Sequence, residues 1–200
     1  GVRNPLIGAF SGDALTTGSN NIAIGLNALT TEDAGDFNIA IGSETLEAQD
    51  AGDAYNIAIG YAAGKAMTTG TINTLIGGEC GNALTSGNSN TAVGFKALND
   101  DTKGDRNIAI GAGALQVQNF TTSTDSHNIA VGYDAGNDVT TGIFNTIVGG
   151  LSGDSLQDAD NNTTLGYAAL TTDTFGSRST AIGRSALAIQ NFATATDAYN

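Results

Sequence analysis

Asn21-Ile22-Ala23-Ile24-Gly25 returns as Asn38-Ile39-Ala40-Ile41-Gly42, as Asn56-Ile57-Ala58-Ile59-Gly60 and as Asn107-Ile108-Ala109-Ile110-Gly111. The same opening, N-x-x-[IVL]-G, also starts at Asn4, Asn73, Asn90, Asn128, Asn145 and Asn162, with Ser179 in the asparagine's place once. Successive openings lie 17 residues apart, except for 18 after Asn38 and 21 after both Asn107 and Ser179. All eleven units keep the glycine at the fifth place and Ile, Val or Leu before it. Repetition at a fixed short period is the signature of a solenoid, and it governs everything else in the chain.

A second period lies over the first. Units opening at Asn21, Asn38, Asn90, Asn107, Asn162 and Ser179 carry Leu at the ninth place, as in Ala28-Leu29, Ala97-Leu98 and Ala186-Leu187. The other units carry glycine there and an apolar residue three places on, as in Gly64 with Met67, Gly81 with Leu84 and Gly136 with Val139. After the first unit the two types alternate in pairs, so the full repeat is four units. The long insertions, with Asn119-Phe120 and Asn191-Phe192, fall 72 residues apart in step with it. Gly1-Val2-Arg3 matches unit endings such as Gly104-Asp105-Arg106 and Gly176-Ser177-Arg178. The chain therefore reads as one repetitive segment over residues 1–200, expected to be an uncapped excerpt of a longer protein, since solenoids need polar caps.

Seventeen residues cannot hold two helices and their turns but suit two short strands with two turns, which makes the expected fold all-β, a parallel β-solenoid (β-roll) of about eleven coils. Alternation puts Ile22 and Ile24 on one face of the strand and Ala23 on the other. The bulky face is expected inside, as a ladder of Ile and Val, leaving the small Ala23 and Gly25 face outward for close approach of a neighbouring chain. The structural ladders are Asn21, Asn38, Asn56, Asn73 and Asn90, whose amides are expected to bond along the axis, and Gly25, Gly42, Gly60, Gly77 and Gly94, expected at positive φ in a corner. At the sixth place Tyr61, Gly78, Phe95, Ala112, Tyr133, Gly150 and Tyr167 alternate large and small, so each aromatic is expected to cover its small neighbour. Acidic residues such as Glu32, Asp33, Asp36, Asp100, Asp101 and Asp105 read as solvated turns.

Composition narrows the function. The formal charge is −13 with seven Lys and Arg, which disfavours nucleic acid and anionic membrane surfaces, and no apolar run has the length to insert in a bilayer. One cysteine, Cys80, permits no internal disulfide. Catalysis needs groups placed once, whereas nearly every polar residue here belongs to a series, so the chain is not expected to be an enzyme and no cofactor is implied. His127 lies beside Asp125 without a Ser or Cys partner; Cys80 replaces Ala63, Ala135 and Ser152 of sister units and reads as a packed thiol. Glu44, Glu47 and Glu79 are the least periodic carboxylates, and a tailspike-like depolymerase would need two such groups across a groove. Asp-rich turns suit at most weak Ca²⁺ binding. Threonine pairs such as Thr30-Thr31, Thr68-Thr69, Thr140-Thr141 and Thr171-Thr172 raise an ice-binding solenoid as an alternative. Phe120, Phe192 and His127 on the long loops are the candidate surface contacts, against the alternative that each Phe covers the coil edge.

The units Asn21 to Gly25 with Ala28-Leu29, Asn90 to Gly94 with Ala97-Leu98, and Ser179 to Gly183 with Ala186-Leu187 resemble the head repeats of trimeric autotransporter adhesins, a left-handed parallel β-roll, and the repetitive shafts of bacteriophage tail fibres. These units are longer than the coils of the adhesin heads. The resemblance implies a homotrimer in an extracellular, cell-surface or virion fibre, giving reach and display for attachment to a host or surface receptor, glycan or protein.

Overall fold

The computed structural model describes all 200 residues. Eleven parallel strands stack in one sheet in chain order, from Leu6–Ile7 and Ile22–Ile24 through Thr180–Ile182, each paired with the strand one coil before and after it. The register is that of the repeat: Ile22 opposes Ile39, Ala23 opposes Ala40, and Ile24 opposes Ile41. The chain is thus a β-solenoid of about eleven turns.

The coil differs from the expected one in having a single strand. Beyond the fifth-place glycine, residues seven and nine of each coil adopt left-handed φ, as at Lys96 (57°) and Leu98 (52°), and so does the residue before each asparagine, as at Phe37 (64°). Reversals this close together leave no run long enough to extend. Only the long coils add a second ladder, where Thr124–Asp125 pairs with Gly104–Asp105 and Thr196–Asp197 with Gly176–Ser177. The inserted residues are taken up there.

The expected inside and outside of the strand are reversed. Ala23, Ala40, Ala58, Ala92 and Ala109 are fully buried, while Ile76, Ile110 and Leu165 on the other face are 36%, 38% and 48% exposed. The reason is volume. Leu29, Leu46, Leu98, Leu115 and Leu170 come up from the ninth place and fill the coil beneath the strand, so only an alanine-sized residue fits opposite them. In the glycine-type coils the space is filled otherwise: Leu75 and Ile147 replace the strand alanine, and Met67, Leu84, Val139 and Leu156 occupy the twelfth place, all buried. A Cβ at Gly64 would lie 2.9 Å from both Leu46 Cδ2 and Leu75 Cδ1. Leu46 holds the same backbone region at φ 47°, so packing rather than conformation excludes a side chain at Gly64.

Both expected ladders form. The fifth-place glycines have φ between +118° and +144°. A Cβ at Gly25 would come within 2.3 Å of the Gly42 carbonyl oxygen, so the corner is glycine for two reasons. The ladder asparagines are buried, and Asn21 shows their bonding: Asn38 N–H donates to Asn21 Oδ1 at 2.8 Å, and Asn21 Nδ2 donates to the Gly35 carbonyl at 2.6 Å. Since the donor to each Oδ1 is a backbone N–H, Ser179 joins the ladder by donating its own N–H to Asn162 Oδ1 at 2.8 Å. The single extra residue after Asn38 breaks this pattern, and Asn38 Nδ2 is buried without a partner.

Candidate functional site

The twelfth place, apolar in glycine-type coils, is polar in leucine-type ones, and it is the largest correction to the solvated-turn reading of the acids. Glu32, Asp101 and Asp173 are fully buried there, each followed one coil on by a glutamine, Gln49, Gln118 or Gln190. Gln118 Nε2 donates to Asp101 Oδ2 at 2.7 Å, and Asp101 Oδ1 accepts from the N–H groups of Gly104 (3.0 Å) and Phe120 (3.1 Å). Gln118 Oε1 in turn accepts from Asn128 Nδ2 at 2.8 Å, which joins the acid to the asparagine ladder. Burial outweighs these bonds and holds the Asp101 carboxyl above the ordinary aspartate range. Asp105 is also buried, whereas Asp33 and Asp100 are exposed as expected and Asp36 is half-buried. Reading the twelfth place as a column, Leu15, Glu32, Gln49, Met67, Leu84, Asp101, Gln118, would have exposed this pairing in the sequence.

The long-loop residues do not form a contact surface together. Phe120 is buried, and a Cβ at Gly104 would lie 3.0 Å from its ring, so it closes the turn of the preceding coil rather than facing outward. Phe192 sits in the same way over Gly176 and is half-buried. His127 is exposed, but its ring stacks on Phe144 at 5.6 Å, and its neighbour Asp125 is engaged by Arg106 of the coil below. No His–Asp dyad results. Cys80 is buried, donates to the Ala92 carbonyl at 3.2 Å and has its pKa pushed up to about 12 by burial, so the group at neutral pH is a thiol. Glu32, Asp33 and Asp50 place oxygens within 4.8 Å of one another. Glu32 already accepts from Gly35 N–H and Gln49 Nε2, which leaves mainly two exposed aspartates for a cation, fewer oxygens than calcium takes. Several hydroxyls of the threonine pairs are bonded to neighbouring coils, Thr31 to the Glu47 carbonyl at 2.7 Å, Thr68 to the Thr85 carbonyl at 3.2 Å and Thr30 to the Phe10 carbonyl of the coil before at 3.2 Å.

Two features remain. The first is the outer face of the sheet, with Ile22, Ile39, Ile57, Ile108 and Ile129 in one column and Ile24, Ile41, Ile59, Ile76, Val93, Ile110, Val131 and Val148 in the other. Thr74, Thr91, Thr146, Thr163 and Thr180 interrupt the first column. Exposed aromatics flank the strands: Tyr61, Phe95, Tyr133 and Tyr167 on the glycine side, and Phe37, Tyr55 and Phe144 on the asparagine side. Phe37 and Tyr55 stack at 5.1 Å. The sixth-place alternation packs as expected, with Phe95 Cδ2 3.5 Å from where a Cβ at Gly78 would stand, yet Phe95 stays 56% exposed.

The second feature is the molecule's one cavity, an open groove of about 450 Å³ across three coils. It gathers the aperiodic carboxylates Glu44, Glu47 and Glu79 with Lys65, Tyr61 and Asn82, over a floor of Ala48, Ala62 and Ala66. Lys65 Nζ lies 2.7 Å from Glu44 Oε2 and 3.5 Å from Glu47 Oε2. The Glu44 hydrogen bond raises the Lys65 pKa, which keeps it an ammonium ion. That ion stands between the two carboxylates, where the bond of a glycoside undergoing hydrolysis would have to lie.

No family model, curated protein or solved structure matches the chain. No helix is long and apolar enough to cross a membrane.

Proposed function

We propose that the chain is the shaft of an extracellular or virion fibre, in which three copies associate side by side through the outer sheet face and serve reach and display for attachment to a surface receptor. The reading includes no catalytic step. The observation that carries it is the outer sheet face, whose fourth-place column is apolar from Ile7 in the first coil to Ile182 in the last, while threonine shares the other column. At about 4.8 Å per strand, two columns about 7 Å apart make a stripe about 50 Å long. Its area is on the order of 350 Å² per copy between the two columns, and contiguous apolar patches of a few hundred Å² mark interaction surfaces. A second copy of the chain is the partner that repeats at the same spacing over the full length. The number three comes from the resemblance to adhesin heads and fibre shafts. The bulky face thus takes the interface role that the sequence reading gave to the small one.

Light scattering tests the reading. The expected mass is three times the 20.0 kDa of one chain. Ile59→Lys with Ile110→Lys is expected to give single chains with an unchanged β spectrum, because both side chains point away from the core. Wild-type chains that stay single at about 100 μM, well above the range of stable complexes, would sink it.

A further inference from the structure

We infer that the groove across the third to fifth coils is a binding site for a neutral saccharide. The inference does not rest on the fibre reading, since every group that lines the groove belongs to one chain.

Its position in the repeat is the first reason. One four-coil unit further on, the places of Glu44, Glu47, Lys65 and Glu79 hold Gly113, Gln116, Asn137 and Leu151. Of the charged cluster nothing recurs, although Tyr61 has its counterpart in Tyr133. In a chain whose core, corner and ladder residues repeat faithfully, a charged cluster placed once is not required by the coil. The volume, about 450 Å³, also lies within the range of small-molecule sites.

Chemistry supplies the ligand class. Carboxylate acceptors outnumber donors: Glu44 and Glu47 share the Lys65 ammonium, and Lys96 reaches Glu79 from outside at 3.5 Å. Glu47 Oε2 is closed to water and faces the Lys65 ammonium at 3.5 Å, while its Oε1 accepts from Asn27 Nδ2 at 3.5 Å. A ligand carrying several hydroxyls supplies donors, and a half-exposed Tyr61 ring above an alanine floor offers a flat apolar surface for its C–H face. The glutamates repel an acidic sugar, and Glu44 and Glu47 already have the Lys65 ammonium as their cation. Asn82 Nδ2, bonded to the Ala62 carbonyl at 3.2 Å, keeps a second proton for a ligand oxygen.

Saturation-transfer NMR on the 200-residue chain tests this with glucose, galactose, mannose, N-acetylglucosamine and lactose as neutral probes, and sialic acid and glucosamine as charged ones. The expected result is transfer to ring protons of at least one neutral sugar, weakened about fivefold or more in Tyr61→Ala and in Glu47→Gln, and unchanged in Tyr133→Ala. Thermal melts of the variants check that they fold. No transfer to any neutral probe, transfer to glucosamine or sialic acid alone, or equal weakening by Tyr133→Ala would overturn the assignment.

Discussion

Gly77 holds φ at +140° in the corner ladder, and a Cβ on it would stand 2.3 Å from the Gly94 carbonyl oxygen. Gly52, in the 18-residue unit, has φ +70° and open space where its Cβ would be. The two glycines separate two physical demands. At Gly52 a side chain meets only the left-handed backbone penalty, about 1 kcal/mol, whereas at Gly77 it also forces two coils apart. Gly77→Ala is therefore expected to lower unfolding stability by at least about 3 kcal/mol and Gly52→Ala by about 1 kcal/mol, read from urea midpoints. Equal losses would mean that the corner is glycine for its backbone alone. The invariance of the fifth place was plain from the sequence, but its steric cause was not, because the clashing atom belongs to a residue 17 positions away.

At the scale of the element, each coil is one three-residue strand closed by left-handed turns, and what varies between coils is how its interior is filled. Leucine-type coils put a carboxylate or a glutamine where glycine-type coils put a Met, Leu or Val. A buried acid–amide pair contributes little net stability against an apolar pair, and its use is register, since Gln118 finds its acceptor only when Asp101 lies in the coil directly below. The pair also carries a pH signature. With its pKa raised by burial, Asp101 takes up its proton at a higher pH in the folded chain than in the unfolded one. The stability from that protonated form is fully present below the ordinary aspartate value and is lost as pH rises through the raised value. Across that interval the wild-type urea midpoint is expected to fall more steeply with pH than that of Asp101→Asn. The slope is the readout, because the new amide also alters the bond to Gln118. Parallel slopes would show that Asp101 titrates alike in both states.

For the whole molecule, the four-coil period makes coils exchangeable only in blocks. Removing residues 73–144 brings Ile72 against Asn145 and leaves a first-type glycine coil followed by a second-type one, with Ile147 in the place of Leu75. Removing only residues 73–106 brings Ile72 against Asn107, so Gln118 loses Asp101 and the space at Gly64 loses Leu75. An emptied leucine site costs about 2–5 kcal/mol and a buried amide without a partner about 1–3 kcal/mol. The shorter deletion is thus expected to melt at the lower temperature in a thermal scan. The opposite order would show that neighbouring coils pack without regard to type.

The sequence by itself determined the solenoid, its coil length, the glycine corner, the asparagine ladder and the four-coil period, because each follows from residue types that recur at fixed spacing. Alternation also established that Ile22 and Ile24 share a face opposite Ala23, but alternation is symmetric and does not say which face is inside. That was decided by volume across the coil, where Leu29 meets Ala23 and leaves no room for isoleucine. Likewise Glu32 and Asp101 look like turn acids in one dimension and become buried once the next coil supplies a glutamine. Glu44, Glu47 and Glu79 were legible as departures from the repeat, yet only stacking at successive coils brought them around Lys65 in one groove.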